Sequence, residues 1–369
     1  MTTNSEGLAG VTAGKTKIST VGKAGIGLTY YGYDIKELAL KGSFEEVVCL
    51  LLNGELPKSE ILDAFKSKIA NASKLPESLC KVLEGIPKET HPMDVLRTGV
   101  SYLGCIEPEK DNIDNVVVRI IATLPSMISY WYRFAHYGER INTVFSGSSM
   151  AEHFLRMLQQ NTPSELSVRV FDASLTLYAE HEFNASTFTA RVCAATLSDI
   201  FSCITGAIGT LRGPLHGGAN EQAMALMDMF DSPESAVIGV KARLEKKEKI
   251  MGFGHRVYKD SDPRSDIIKQ LACDVSSKQN EMDFYNKFEA VENLLKDKKG
   301  LFPNLDFYAA ALYRLLGIPT ELFTPIFVIA RSSGWIAHVI EQRENNRLIR
   351  PSAEYEGPEL RSYVGIEDR

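Results

Sequence analysis

No two of the six cysteines, at 49, 80, 105, 193, 203 and 273, stand at CxxC spacing. Neither a zinc site nor a dithiol redox pair is therefore suggested. Their scatter through mostly apolar stretches suits reduced core thiols in a cytosolic protein. Positive charge is not in excess: 41 Lys and Arg face 47 Asp and Glu, for a net charge of -6. General nucleic-acid binding needs a basic excess or a basic stripe, so that class is disfavoured. Long uninterrupted apolar runs are lacking too. The most apolar stretch, Val192 to Leu211, contains Asp199 and several Ser, Thr and Gly, which suits a buried helix better than a membrane span. The opening MTTNSEGLAG has no basic region followed by an apolar one, so no signal peptide is expected and a cytoplasmic location is. Hydrophobic residues at 44% and charged residues at 24% exclude a disordered chain, and 369 residues exceed what one compact core usually organises.

Strand signals are few, and helical ones dominate. Ser43-x-x-Glu46 resembles a capping box ahead of the apolar run Val47 to Leu52, and Asn53-Gly54 reads as a stop. Further helical segments are predicted over roughly 59–72, 92–104, 112–136, 148–160, 163–183, 186–209, 219–230, 232–250, 264–299, 304–316 and 324–345. One short hairpin fits Lys17 to Tyr33, with glycines 22, 25, 27 and 32 as turn points. The fold class expected from pattern is all-α. From about Glu221 to Lys299 the chain becomes highly charged, as an exposed smaller domain inserted into a larger one would.

Several motifs are decoys. Ala9-x4-Gly14-Lys15-Thr16 mimics a phosphate loop, but no buried strand can precede it. Gly22-x-x-Gly25-x-Gly27 lacks a βαβ context. His181-Glu182-Phe183-Asn184-Ala185 starts like a helical zinc motif, but Ala185 stands where a second His is required, so no metal is expected.

The chemistry points to three histidines and a set of ionic residues. His216 lies among Gly213, Pro214, Gly217 and Gly218, and His255 follows Gly252, Phe253 and Gly254. Glycine gives up helix stability for close backbone approach, so glycines crowding an imidazole suggest a ligand packed on the backbone. His181 sits in YAEHEFNAS beside Asn184. Arg331 is embedded in the apolar run FTPIFVIARSSGWIAHVIE, where a guanidinium is costly unless it meets an anion or a carboxylate partner. Arg264 and Arg350 complete the cationic group. Asp306, set between Leu305 and Phe307-Tyr308, should have a raised pKa and could act as a base, while Asn304 can cap the helix that follows.

Together these segments resemble the citrate synthase family, its 2-methylcitrate synthase branch most closely. The matching stretches are HPMDVLRTG (91–99), LYAEHEFNASTFTARV (177–192), GAIGTLRGPLHGGANE (206–221), GFGHRVYKDSDPR (252–264), FPNLDFYAA (302–310), ELFTPIFVIARSSGWIAHVIEQR (321–343) and LIRPSAEYEGPE (348–359). The resemblance implies an all-α fold with a large helical domain, 1–217 and 319–369, and a small helical domain, 218–318, that closes over the substrates. It implies condensation of an acyl-CoA, propionyl or acetyl, with oxaloacetate, followed by hydrolysis of the thioester. The CoA thioester is a co-substrate, and no other cofactor is implied. By motif Asp306 is the base, His216 donates to the thioester carbonyl, and His255 protonates the keto oxygen. His181, Arg264 and Arg331 hold the oxaloacetate carboxylates with Asn184 beside them, and Lys259 and the loop 252–254 contact CoA. The family forms a homodimer, in which Arg350 is expected to reach the partner's site. His255-Arg256 departs from the 2-methylcitrate pattern, where Pro usually follows this His. Rival readings are an acetyl-CoA citrate synthase of the tricarboxylic acid cycle, a reverse-acting lyase and a non-catalytic acyl-CoA-binding protein. No NADH control and no membrane association are expected.

Overall fold

The computed structural model describes residues 6–8, 10–23, 26–110 and 112–369. Near the N-terminus β1 (Ser19–Lys23) and β2 (Ile26–Tyr30) pair antiparallel, with Val21 opposite Leu28 and Thr20 opposite Thr29, and a two-residue β3 (Tyr33–Asp34) closes the sheet. The expected hairpin is present. Gly32, at φ 88°, makes the β2–β3 turn, but Gly22 and Gly27 lie within strands rather than at turns, and Gly25 falls outside the described residues.

The rest is helical. Asp34 caps α1 (Ile35–Lys41) by accepting from the Lys36 amide. Ser43 and Glu46 form the anticipated capping box on α2 (Phe44–Asn53), which Gly54 ends at φ 83°. Next come α3 (Ser59–Ala72), α4 (Glu77–Glu84), α5 (Pro92–Ile106), α6 (Ile113–Tyr137), α7 (Met150–Gln159) and α8 (Glu165–Tyr178). They are followed by α9 (Ala185–Ala194), α10 (Ile200–Leu211), α11 (Ala219–Met227), α12 (Pro233–Glu245) and α13 (Ser265–Gln279). The last are α14 (Met282–Lys299), α15 (Leu305–Leu315) and α16 (Phe323–Glu344).

Two expected long helices are broken. The segment 186–209 divides into α9 and α10, because Leu197 takes φ 63° and Asp199 caps α10 through the Ser202 amide. The segment 264–299 divides at Asn280, at φ 59°, into α13 and α14. The helix expected over 163–183 stops at Tyr178, so His181 and Asn184 lie on the turn between α8 and α9. The short α1 and α4 were not anticipated.

Helix α16 organises one half of the molecule, packing on α2, α5, α6, α8, α9 and α10. It is long and apolar enough to cross a membrane by composition, yet 89% of its apolar window is buried inside the protein, as in a core helix. Gly334 permits this packing: a Cβ there would lie 2.4 Å from the Ala179 carbonyl oxygen, so α16 comes directly against the turn that carries His181. Helices α11 to α15 pack mainly on one another, through the α11–α15, α13–α15 and α12–α14 pairs. The functional residues stand where α8, α9 and α16 meet the N-terminal ends of α11, α13 and α15.

Candidate active site

His216 lies on the turn after α10. The Ser186 amide, in the first turn of α9, donates to its Nε2 at 3.2 Å. Burial and the charge of Arg331 push its pKa down to about 4, so the ring is neutral near pH 7. With Nε2 accepting, the single ring proton sits on Nδ1, and no described residue accepts from it. Ser186 is fixed in turn: the Trp335 indole N–H donates to its hydroxyl at 3.1 Å, and that hydroxyl lies 2.8 Å from Asn184 Oδ1.

His255 follows the same logic with its nitrogens exchanged. The Val257 and Tyr258 amides donate to Nδ1 at 3.1 and 3.2 Å, so the proton of the neutral ring is on Nε2. Burial and the cations Arg264 and Lys259 lower its pKa to about 4, with Asp262 opposing. His181 stacks edge-on against His255, ring centres 5.1 Å apart, with its Nε2 3.1 Å from the Tyr258 hydroxyl. Burial, then Arg264, Arg331 and His255, hold its pKa well below the usual value. Burial first, and then the charges of the two guanidiniums, keeps these three imidazoles neutral.

The two guanidiniums differ. Arg264, at the start of α13, is clasped by Asp262, with Nε to Oδ1 at 2.9 Å and Nη2 to Oδ2 at 2.8 Å. Asp262 also accepts from the Leu305 amide at 3.1 Å and so ties α13 to the start of α15. Arg331 is buried in mid-α16, and its Nε donates to the Tyr178 carbonyl at 2.6 Å. Its remaining N–H groups meet no carboxylate within ion-pair distance among the described residues. Instead its guanidinium lies 4.6 Å over the Phe327 ring. Burial lowers its pKa to about 10, so it stays cationic near pH 7.

Asn304 caps α15, accepting from the Asp306 amide at 3.0 Å, which leaves the Asp306 side chain free of capping. Asp306 Oδ1 accepts from the Tyr178 hydroxyl at 2.6 Å. Burial raises its pKa, opposed by Tyr178 and by the two arginines. Phe327 joins the parts: its ring centre lies 4.7 Å from that of Tyr178 and 6.4 Å from that of His216. Residues 216, 306 and 331 thus gather around Tyr178 and Phe327, residues 181, 255 and 264 around Tyr258 and Asp262, and the charges of Arg264 and Arg331 reach both groups.

Other expected residues are placed differently. Gly252, at φ 89°, would put a Cβ 2.9 Å from Phe307, and its carbonyl accepts from the Asn304 amide. Gly254 donates to the Phe302 carbonyl, and Phe253 pairs with Pro303 and packs on Phe307. This loop therefore props the start of α15 and the Asp306 carboxylate. Lys259 is exposed beside it. Asn184 caps α9, and its carboxamide is occupied by Thr187, Ser186 and the turn carbonyls. Arg350 is exposed, past the end of α16, and makes no ion pair among the described residues. Sequence reasoning missed Tyr178, Ser186, Tyr258, Asp262 and Phe327. Only Asp262, two residues before an arginine, left a readable signal. A cavity of about 380 Å³ opens on the flank of the same junction, between Lys36 and Arg169 on one side and Asp266 and Asp274 on the other, but it borders neither the histidines nor Asp306.

Residues 7–352 match the model of the citrate synthase C-terminal domain family. The chain is 53% identical to the 2-methylcitrate synthase of Shewanella oneidensis, over 98% of this chain and 97% of that one. It is 42% identical to citrate synthase 2 of Bacillus subtilis, over the full length of both. The fold matches the Thermoplasma acidophilum citrate synthase, solved as a ternary complex with carboxymethyl coenzyme A and oxaloacetate, with TM-score 0.91 and 32% identity over 99% of both chains. With a single site assembled from the matched motifs, the chain belongs to the citrate synthase family, whose enzymes condense an acyl-CoA with oxaloacetate.

Proposed function

We propose that this protein condenses propionyl-CoA, and also acetyl-CoA, with oxaloacetate and then hydrolyses the thioester, as a 2-methylcitrate synthase that retains citrate synthase activity. The observation that carries the reading is Arg331, a buried cation with no carboxylate partner among the described residues, set beside Asp306 and three neutral histidines. A dicarboxylate substrate supplies the missing counter-charge. Arg331, the free edge of Arg264 and His181 bind the two carboxylates, with Asn184 shaping the wall.

A thioester α-carbon is a very weak acid, so removal of its proton needs acid and base at once. Asp306 takes the proton, and His216 donates from Nδ1 to the carbonyl oxygen where negative charge develops. The enol carbon then attacks the keto carbon of oxaloacetate. His255 donates its Nε2 proton to the keto oxygen as the carbon–carbon bond forms, and the proton that Asp306 took from the α-carbon restores the ring, so the keto oxygen ends as a hydroxyl and both groups are reset. Water next attacks the thioester carbonyl, releasing coenzyme A as the thiol and leaving a tricarboxylate. Lys259 and the loop 252–254 border the coenzyme A side. The segment 218–318 closes on 1–217 and 319–369 to exclude water during condensation.

The active unit is a homodimer in which Arg350 enters the partner's site. Supporting this, Leu348, Tyr355, Leu360, Tyr363 and Ile366 are all strongly exposed on the segment after α16, an apolar series that a second subunit would cover. The family's only group beyond oxaloacetate is the CoA thioester, and this site calls for no other cofactor.

The test is release of free thiol from propionyl-CoA and acetyl-CoA, side by side, with oxaloacetate. The expected result is release from both, with the higher kcat/KM for propionyl-CoA. Release from neither contradicts the function. A preference for acetyl-CoA assigns the protein to the citrate synthase side, since one methylene is worth only about 10–200-fold.

A further inference from the structure

We infer that Tyr178 is a positioning residue for Asp306, fixing one carboxylate oxygen so that the other is presented to the substrate. The inference rests on the proposed role of Asp306 as base.

Tyr178 is the last residue of α8 and is fully buried, with its ring against Phe327 at 4.7 Å. Its hydroxyl donates to Asp306 Oδ1 at 2.6 Å, within the short range of hydrogen bonds to an ionised acceptor. An ionised carboxylate can only accept, so the one proton between the two groups belongs to the Tyr178 hydroxyl. Burial and the Asp306 charge push the phenol pKa far up, so the donor keeps its proton at any working pH. No described residue donates to Asp306 Oδ2, the oxygen left for proton abstraction. The carbonyl of Tyr178 meanwhile accepts from Arg331 Nε at 2.6 Å. One residue thus sets the spacing between the base and the carboxylate anchor.

The hydrogen bond stabilises ionised Asp306, so its removal raises the pKa of that carboxyl. The experiment is the pH profile of kcat/KM for the acyl-CoA at saturating oxaloacetate, for wild type, Tyr178→Phe and Asp306→Asn, each checked for an intact fold by thermal unfolding. In Tyr178→Phe the acid limb should move up by about one pH unit and the plateau should fall about 10-fold. KM for oxaloacetate should stay within about twofold of wild type in Tyr178→Phe. An acid limb that stays in place in folded Tyr178→Phe, with activity lowered equally at every pH, overturns the positioning role. Asp306→Asn separates the two ideas. Near wild-type activity in that variant removes the base itself, whereas its inactivity beside an unmoved Tyr178→Phe limb removes only the inference drawn here.

Discussion

Arg264 and Arg331 occupy two walls of one site and are both buried, yet they are held in opposite ways. Arg264 is gripped by Asp262, which also receives the Leu305 amide, so this wall is closed except for the guanidinium's free edge. Arg331 has a carbonyl and an aromatic face but no carboxylate. A guanidinium cannot shed its proton to escape burial, so the first is already paired and has only its free edge to offer a ligand, while the second is a standing demand for an anion. The location of an unmet charge says more about function than the presence of a charge.

The largest expected effect comes from breaking the closed wall. Asp262→Asn leaves Arg264 buried without its counter-charge and should lower stability by about 3–5 kcal/mol, read by urea unfolding. Stability equal to wild type would mean that Arg264 is not truly enclosed. The open wall should behave in reverse. Arg331→Met should reduce kcat/KM for oxaloacetate about 100-fold, while its unfolding temperature stays within a few degrees of wild type or rises. A large fall in stability would show that Arg331 holds the fold together.

A third buried charge sharpens the contrast. Asp172 and Glu45 face each other among α2, α7 and α8, where Asp172 accepts only from the Phe44 amide and Glu45 from the Met150 amide. Burial, then the neighbouring Glu45, raises the Asp172 pKa to about 8, with Lys66 opposing and Glu46 adding. Unlike an arginine, a carboxyl can respond by keeping its proton. Its folded pKa lies above its unfolded one, so the native state holds a proton that the unfolded chain releases, and stability falls as pH rises from about 4 to 8. Asp172→Asn should therefore gain about 1–3 kcal/mol over wild type at pH 9 and much less at pH 5. An unchanged difference between the two pH values would refute the shared burial of these carboxyls. The smallest effect expected is that of salt. Raising ionic strength to about 0.5 M should weaken oxaloacetate binding only two- to threefold, because the anchors are buried.

The sequence was most legible where local chemistry and tertiary need coincide. The Ser43–Glu46 box, the Gly54 stop and the Asn304 cap are contacts within one turn, and each stands as read. Arg331 was conspicuous because its apolar surroundings left no local partner. The breaks at Leu197 and Asn280 were missed because a positive φ at a non-glycine residue is set by packing rather than by propensity. Tyr178 and Phe327 look like ordinary core aromatics in sequence. Their importance lies in partners more than a hundred residues away, Asp306 for the first and His216 for the second. The glycine loop 252–254 read as a ligand contact, and the structure adds a second reason for it, the close approach of Gly252 to Phe307.

The most direct measurement is a calorimetric titration of wild type and Arg331→Met with oxaloacetate and with pyruvate, which lacks the second carboxylate. The expected result is that wild type binds oxaloacetate at least about 30-fold more tightly than pyruvate, and that most of this preference vanishes in Arg331→Met. A preference that survives intact without Arg331 would contradict the claim that its unmet charge is the anchor for the dicarboxylate.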